Sequence, residues 1–363
     1  MALFAVEKPL GLTSHDAVEE ARRRLGTRRV GHTGTLDPLA TGVLVLVSDQ
    51  STKLVPFLSG EDKEYLAWVS FGATTPTLDA EGPVVEEAPV RFSLKDLEAA
   101  LLSFLSLTEQ VPPLFSAVKV GGVRAYEAAR EGRPLELKPR PARYLEVELL
   151  AFDPAPRPYP IAPSARGWRI AERGRKVDLP PPLGPYPTAV VRLVVASGTY
   201  IRAFARDLGE RPPPPPGGGG PPGRGGRGAP PPPLGPYPTA VVRLVVASGT
   251  YIRAFARDLG ERLGTKAFLA GLVRTRVGRI GLERAVPLSE LSPDRAIPEV
   301  EALPFPVVEL SHTEARRVLE GVPLPIPVVG YVALVDSRRR LLAIAEGDGF
   351  KLKIKRVLKK EDV

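Results

Sequence analysis

The chain has 363 residues, of which 43% are hydrophobic and 25% charged, a composition typical of a globular protein with room for two or three domains. It contains no cysteine, which excludes disulfides, zinc–thiolate sites and cysteine nucleophiles. Its three histidines, His15, His32 and His312, lack metal-ligand spacing, so no metal site is expected. No apolar run reaches the roughly 18 residues of a membrane span and no signal-peptide pattern is present, which predicts a cytoplasmic protein.

The charge distribution favours a polyanionic partner. The formal net charge is +9 at pH 7, and residues 180–230 contribute six arginines and two acidic residues to it. The rest of the chain keeps a net charge of about +5, which supports nucleic-acid binding modestly. Asparagine is absent while arginine, glutamate and proline are abundant, and this depletion of heat-labile residues fits a thermophile.

The predicted elements alternate between short strands and helices. A strand at 2–7 ends in a Lys-Pro-Leu-Gly turn, and Thr13 or Ser14 can cap a helix from about 15 to 25. Apolar patterns further along predict three strands and two helices: strands at 43–47, 63–72 and 142–154, and helices at 93–105 and 124–132. From about residue 304, four short apolar runs predict a small β-rich C-terminal domain. This order favours an α+β fold with a mixed sheet.

An exact duplication interrupts this pattern. Residues 180–211 recur letter for letter at 231–262, and a Pro/Gly-rich spacer at 212–230 separates the copies. Two undiverged copies do not make a repeat architecture. Arginines between the spacer glycines could bind RNA, but low-complexity filler that packs no core is the favoured interpretation.

Each copy contains a strand pattern followed by a short helical pattern, and a single sheet has one place for that strand. Copy one runs into five prolines, which end its helix, whereas copy two continues into residues 263–278. We therefore predict that copy two is the native one. The insertion, residues 180–230, is expected to loop out.

The segment at 31–42, Gly-His-Thr-Gly-Thr-Leu-Asp-Pro-Leu-Ala-Thr-Gly, is the most informative in the chain. Its glycines permit tight turns and close approach to a substrate. Asp37 lies in this loop and is followed by a buried strand, an arrangement that can hold a carboxylate rigidly. Local chemistry alone leaves two alternatives open: a reactive carboxylate, or an Asp-Pro turn in which Asp37 accepts backbone hydrogen bonds.

This loop closely resembles the motif of TruB-type pseudouridine synthases. Four further blocks resemble the same family in the same order, at 7–18, 63–72, 110–132 and 248–278. The resemblance implies a pseudouridine-synthase catalytic domain at 1–300, with a mixed β-sheet core and flanking helices. The C-terminal residues 301–363 resemble a small RNA-binding domain of the PUA type.

The resemblance also implies a reaction. The expected activity is isomerisation of uridine to pseudouridine at position 55 in the T-arm of tRNA, without a cofactor. The base is detached at its glycosidic bond, rotated and rejoined through carbon. The expected protein is a monomer that needs no protein partner and does not bind a membrane.

Family residues map onto this chain one by one. Asp37 would start the reaction either as a nucleophile or by abstracting a ribose proton, and the sequence leaves both routes open. Arg253 would hold this carboxylate in a bidentate pair, and Tyr251 would line the uracil pocket. Copy one offers Tyr200 and Arg202 in their place.

The resemblance assigns other residues to the substrate. Tyr65 would lie against the flipped base, Leu272 would line the pocket, and His32 would fill the space that the base leaves. Without the resemblance, Tyr65 would be interpreted as a residue that packs on a β-strand and Leu272 as a core residue. His32 would be interpreted as a histidine with a structural role. The expected phosphate contacts are basic residues, about half of which should touch RNA: Lys8, Arg22, Arg23, Arg24, Arg28, Arg29, Arg274 and Arg276. Phe268 and Val273 depart from the family's usual histidine and arginine, which weakens direct RNA contact near Arg274.

Three other functions compete with this assignment. The first is an RNA-binding or tRNA-folding protein without turnover, which the retained Asp37, Tyr65 and Arg253 disfavour. The second is a guide-RNA-dependent pseudouridine synthase of the archaeal type, which the short C-terminal domain disfavours. The third is a glycoside hydrolase, and no second acid accompanies Asp37 in its loop.

Overall fold

The computed structural model describes residues 2–116, 118–133, 135–184, 186–196, 241–247 and 263–358. Within these ranges, no helix is long and apolar enough to cross a bilayer. The helices are α1 (Ser14–Leu25), α2 (Val55–Leu58), α3 (Leu94–Leu102), α4 (Ala125–Arg130), α5 (Glu299–Ala302) and α6 (His312–Leu319).

The strands of the first half are β1 (Ala2–Lys8), β2 (Val30–His32), β3 (Ala40–Ser48), β4 (Lys63–Phe71), β5 (Ala73–Thr74), β6 (Glu86–Glu87), β7 (Glu109–Gln110), β8 (Lys119–Val120), β9 (Val123–Arg124), β10 (Arg140–Pro141), β11 (Tyr144–Asp153), β12 (Ile161–Ser164) and β13 (Gly167–Ile170). Those of the second half are β14 (Thr188–Ala196), β15 (Val241–Ala247), β16 (Ala267–Val277), β17 (Ile280–Gly281), β18 (Val286–Pro287), β19 (Val307–Glu309), β20 (Val329–Val335), β21 (Leu341–Asp348) and β22 (Leu352–Val357). The chain divides into two compact units, residues 1–61 with 276–363 and residues 62–275.

In the first unit, β1 pairs antiparallel with β3 along its whole length, from Ala2 opposite Ser48 to Lys8 opposite Gly42. The other edge of β1 pairs parallel with β18, and β2 pairs antiparallel with β3. All nine residues of β3 are buried, as its continuous apolar run predicts for a strand covered on both faces. Parallel and antiparallel pairs in one sheet confirm the predicted α+β class with a mixed sheet.

Helix α1 forms where the sequence predicts it. The Thr13 hydroxyl accepts from the Asp16 amide and the Asp16 carboxylate accepts in return, which completes a capping box. Gly26 ends the helix in the left-handed region at φ 64. The helix buries Ala17, Val18 and other residues of the same face, so α1 presents the start of its first turn at a fixed position.

The four predicted C-terminal strands form one sheet in the order β19-β20-β21-β22. The first pair is parallel and the others are antiparallel. Alternate residues such as Leu334 and Leu342 form a core with Ala315 and Val318 of α6, a helix that the sequence reasoning did not include. The predicted β-rich character of this region is confirmed.

In the second unit, the main sheet contains β11, β14, β15, β4 and β16, and each of β14 and β15 pairs with both β11 and β4. Strand β4 is buried at all nine positions, and β14 pairs with it antiparallel from Thr188 opposite Ser70 to Val195 opposite Lys63. Strand β11 pairs antiparallel with β14 along its other edge. The segment at 267–277, which the sequence reasoning did not assign to a strand, forms β16.

Residues 180–230 were expected to loop out as a whole, but β14, which lies within this range, is part of the sheet. This strand belongs to copy one, yet it lies in the sheet and pairs with β4 over eight residues. Because the two copies are identical, the apolar strand of copy one suits this place as well as that of copy two. The spacer at 212–230 lies outside the described residues.

Candidate active site

Asp37 lies in the loop that joins β2 to β3, in the first unit. Its side chain is half-buried, whereas Leu36 and Leu39 on either side are only 3% and 2% exposed. The Asp37 carbonyl accepts a hydrogen bond from the Ala40 amide at 3.0 Å, which turns the chain into β3. The two buried leucines therefore anchor the loop, and Asp37 between them is less buried than either.

The turn before α1 and the first residue of that helix hold this loop on both sides of Asp37. The Ser14 hydroxyl, which is buried, accepts from the Leu36 amide at 2.7 Å and donates to the Leu36 carbonyl at 3.0 Å. The Gly11 amide donates to the Pro38 carbonyl at 2.8 Å. With the residues before and after it fixed, the Asp37 backbone has little freedom, which is the pre-organisation that a catalytic carboxylate needs.

Lys8 strengthens the same arrangement from inside the protein. Its side chain is fully buried, and its ammonium donates to the carbonyls of Pro9 at 2.9 Å, Leu12 at 2.5 Å and Pro38 at 3.4 Å. The expected contact between Lys8 and an RNA phosphate does not fit this position, because the ammonium is enclosed by backbone carbonyls. Lys8 instead places a positive charge beside the Asp37 loop.

His32 ends β2, opposite Leu46 of β3, and is half-buried. It lies five positions before Asp37 on the same connection between strands, at the edge of the loop. The expected role in filling the space of the extruded base stays a prediction. The first unit therefore contains three of the residues expected at the site, which are Lys8, His32 and Asp37.

The second unit contains Tyr65, Leu272 and Arg274. Tyr65 lies on β4 opposite Leu193 and is 6% exposed. Leu272 and Arg274 lie on β16, the neighbour of β4 in the sheet, and are 4% and 1% exposed. Burial of Arg274 to this extent means that a phosphate contact would require its side chain to leave the interior.

A buried ion pair that the sequence reasoning missed adjoins Tyr65. Glu64 accepts from the Nε and Nη2 atoms of Arg192 at 2.9 Å and 2.8 Å, and from the Trp168 amide at 2.7 Å. The only signal in the sequence was a charged residue inside each of two apolar strand patterns. A bidentate pair of this kind fixes the register of β14 against β4. It therefore also fixes the position of Tyr65 relative to the residues of β14.

The exposed basic residues expected at the RNA surface are arranged unevenly. Arg22 pairs with Glu19, while Arg23 and Arg24 share Glu20, so part of the positive charge of α1 is neutralised. Two arginines just beyond this helix, Arg28 and Arg29, are exposed. Arg276 is half-buried and donates to the Gly278 carbonyl at 2.7 Å.

The remaining predicted residues, Tyr200, Arg202, Tyr251 and Arg253, lie outside the described part of the chain. Among the described residues, no group of three or more histidine, cysteine or acidic side chains could hold a metal ion. In the part of the chain that the structure describes, the first unit contains a fixed loop with the Asp37 carboxylate, and the second unit contains a strand with the buried Tyr65.

Comparison with known proteins gives this arrangement its context. The family model described as "TruB family pseudouridylate synthase (N terminal domain)" matches residues 22–161. The chain is 70% identical to tRNA pseudouridine synthase B of Thermus thermophilus over 362 residues, covering 99% of this chain and 100% of that protein. It is 42% identical to the enzyme of that name from Deinococcus radiodurans over 357 residues, covering 98% and 99%.

A comparison with solved structures supports the same fold. A chain in the crystal structure of a Cbf5-Nop10-Gar1 complex matches with a TM-score of 0.57 and 19% identity, covering 99% of this chain and 86% of that one. The sequence motifs, the mixed sheet and the full-length relatives lead to the same assignment. This chain belongs to the TruB family of pseudouridylate synthases and is an isomerase that forms pseudouridine.

Proposed function

We propose that this isomerase acts on uridine 55 in the T-arm of tRNA and that Asp37 is its catalytic carboxylate. The names of the full-length relatives support tRNA as the substrate. The observation that carries the role of Asp37 is its half-buried side chain in a loop whose neighbouring residues, Leu36 and Pro38, are held by Ser14 and Gly11.

The chemistry requires Asp37 to be ionised. As a nucleophile it would attack the sugar, and as a base it would remove a ribose proton; both routes break the glycosidic bond, turn the uracil and form a carbon–carbon bond. The proton then leaves carbon 5 of the base. The buried Lys8 ammonium donates to the carbonyl of Pro38, the residue that follows Asp37, at 3.4 Å. Arg253, or Arg202 of copy one, would complete the pairing of this carboxylate.

The flipped base requires an apolar and aromatic surface. Tyr65 supplies the aromatic ring, and Leu272 and Tyr251 would complete the pocket. His32 would occupy the place that the base leaves in the T-arm, at a cost in unstacking of a few kcal/mol. Arg274, two positions after Leu272 on β16, is buried, and we therefore propose that it is an interior residue and not a phosphate contact.

RNA binding would use surfaces outside the pocket. The exposed Arg28 and Arg29 follow α1, which precedes the Asp37 loop in the chain. In the C-terminal residues 301–363, β22 alternates buried Leu352 with exposed Lys353 and other exposed basic residues, as expected for a sheet face that meets phosphates. We infer that residues 301–363 act as a PUA-like RNA-binding domain of a cytoplasmic monomer.

The test is tritium release from a T-arm hairpin carrying uridine tritiated at carbon 5, together with hairpin binding. We expect Asp37→Asn to lower turnover by a factor of about a thousand or more while the Kd changes little. The matched control is Asp49→Asn, a carboxylate of the same unit that accepts from the Thr27 hydroxyl at 2.7 Å and should keep activity.

Three results would overturn parts of this proposal. Near-normal turnover by Asp37→Asn would remove the catalytic assignment while leaving the isomerase activity. Tight hairpin binding by the unmodified chain without any tritium release would favour the tRNA-folding alternative. Release from a hairpin in which only position 55 lacks tritium would place the modified uridine elsewhere.

A further inference from the structure

The turn between β21 and β22 has a fixed backbone and carries an exposed aromatic ring. The Asp348 carboxylate accepts from the amides of Phe350 at 3.1 Å and Lys351 at 3.0 Å. The Gly349 amide donates to the Val328 carbonyl at 3.0 Å, which ties the turn to the start of β20. Phe350 is nevertheless 84% exposed. The ring is therefore presented to solvent by a backbone that hydrogen bonds hold in place.

One face of the C-terminal sheet continues the apolar surface of this turn. Val332 and Leu334 of β20 pack in the core with α6, so the alternating residues Val329 and Tyr331 lie on the opposite face. Val329 is 82% exposed, and its Cγ2 atom lies 3.7 Å from the position that a Cβ on Gly349 would have. The exposed apolar surface therefore extends from the turn onto β20.

Basic side chains border this surface. Tyr331 pairs with Glu346, which in turn pairs with Lys353, and residues directly opposite one another lie on the same face of a sheet. The Lys355 ammonium contacts Oε2 of Glu346 at 2.6 Å, which brings a second lysine to this face. Residues 346–356 contain four basic and two acidic side chains, so the charge around the exposed apolar residues is positive.

Two ordinary explanations do not account for this combination. Lysines on an edge strand such as β22 discourage pairing with another chain, which explains Lys353 but not the exposure of Val329 and Phe350. A protein–protein interface is expected to contain few lysines. Aromatic and basic side chains together are typical of surfaces that bind single-stranded nucleic acid, where a ring stacks on a base and cations contact phosphates.

We propose that the turn surface, formed by Val329, Tyr331, Phe350 and Lys353, binds an unpaired nucleotide of the tRNA that lies outside the T-arm hairpin. This inference rests on the proposed function. Bases in an A-form stem are stacked on each other, so a protein ring can stack only on an unpaired base. The unpaired bases of the hairpin are in its loop, whose target uridine would enter the site of Asp37. A separate aromatic surface therefore fits an unpaired segment elsewhere in the tRNA.

Phe350→Trp makes the turn surface a fluorescent reporter. The chain has two tryptophans, Trp68 and Trp168, which are 0% and 6% exposed, so the introduced indole is the one that a base can reach. We expect a full-length tRNA transcript to quench the added fluorescence by stacking, and the T-arm hairpin to leave it largely unchanged. The matched control is Leu102→Trp, at an apolar residue of α3 that is 58% exposed, where neither RNA should quench.

Binding affinity measures the contribution of the ring. We expect Phe350→Ala to raise the Kd for full-length tRNA about tenfold, as the loss of one stacked base predicts, while the Kd for the hairpin changes less than about twofold. Phe350→Trp should keep the affinity for tRNA, and Leu102→Ala should leave both Kd values unchanged. Because Phe350 and Leu102 are exposed, these variants should fold like the unmodified chain, which thermal unfolding verifies.

Four outcomes would overturn the inference. Equal quenching by hairpin and tRNA would place the bound nucleotide within the T-arm. Tight tRNA binding without quenching, and with an unchanged Kd in Phe350→Ala, would remove the turn surface from RNA binding and leave the proposed function intact. A dimer of the unmodified chain that Phe350→Ala dissociates, measured by sedimentation, would assign the turn surface to a second copy. If the unmodified chain binds neither RNA, the proposed function fails together with this inference.

Discussion

The hydroxyl of Ser14 makes two hydrogen bonds with the backbone of Leu36, the residue that precedes Asp37. These bonds join the first turn of α1 to the loop that carries the carboxylate, across 22 positions of sequence. They explain how a loop without regular structure can hold the proposed catalytic carboxylate in one place. The position of Asp37 therefore depends on a residue that does not itself need to touch the substrate.

Ser14→Ala should lower kcat by about tenfold or more with little change in KM, because Asp37 loses its fixed geometry while the RNA surface is unchanged. The variant also leaves the buried Leu36 amide without its partner, at a cost of about 1–3 kcal/mol in the free energy of unfolding. Steady-state kinetics and denaturant unfolding measure the two effects separately.

Ser93→Ala is the matched control for this prediction. The Ser93 hydroxyl accepts from the Asp96 amide at 3.3 Å in the capping box of α3, in the second unit. Its loss should cost about 1 kcal/mol of stability without lowering kcat. An equal fall of kcat in both variants would show that Ser14 acts through general stability and not by positioning Asp37.

Glu64→Gln should destabilise the protein by about 1–3 kcal/mol, because it removes the nearest, bidentate carboxylate of a buried arginine whose other acidic partners, Glu148 and Glu146, lie at 3.5 Å and 3.8 Å. Glu64 and Arg192 are each 2% exposed. Thermal and denaturant unfolding measure the effect.

Glu301→Gln provides the comparison for a surface pair. Glu301 accepts from Nη1 of Arg284 at 2.6 Å, but both side chains are more than a third exposed. Solvent screening limits the contribution of this pair to about 1 kcal/mol or less. If Glu64→Gln cost no more than Glu301→Gln, the Glu64–Arg192 pair would not be what fixes β4.

Gly167→Ala should be more damaging than an ordinary glycine substitution. Gly167 has φ +90, and an added Cβ would overlap Nη2 of Arg192 and come within 2.6 Å of the Glu64 carboxylate. Gly132→Ala is the control, because Gly132 has φ +71 with nothing within 4 Å of an added Cβ. We expect about 1–2 kcal/mol for the control, from backbone strain alone, and clearly more for Gly167→Ala. Equal losses would contradict close packing against the ion pair.

Local sequence signals predicted elements well and long-range pairs poorly. The capping boxes begun by Thr13 and Ser93 depend on residues three positions apart, so the starts of α1 and α3 could be predicted. The Glu64–Arg192 pair spans 128 positions and exists only after β14 is aligned with β4. The enclosure of Lys8 likewise depends on the folded turn around its ammonium.

The duplication marks another limit of sequence reasoning. Prolines after copy one suggested that this copy would leave the sheet, yet its strand pairs along β4. A strand is chosen by its fit to both neighbours, and identical copies fit equally. Sequence alone therefore could not decide which copy enters the sheet.

The environment of Tyr159 leads us to expect that the free energy of unfolding falls at alkaline pH. Its hydroxyl donates to Oδ2 of Asp153 at 2.6 Å, and burial, with this hydrogen bond and the carboxylate charge, raises the pKa of Tyr159 to about 12. Below pH 10 the phenol is neutral in both the folded and the unfolded chain. Between about pH 10 and 12 the unfolded chain ionises first, so the stabilising contribution of Tyr159 is lost as pH rises through this window.

Tyr159→Phe removes this titration. The difference in unfolding free energy between the unmodified chain and Tyr159→Phe should be constant up to about pH 10 and should shift in favour of the variant from there to pH 12. Denaturant unfolding at closely spaced pH values measures it. Asp153→Asn, which keeps the phenol but removes the carboxylate charge, should weaken this pH dependence. A difference that does not change with pH would show that ionisation of Tyr159 is not coupled to folding.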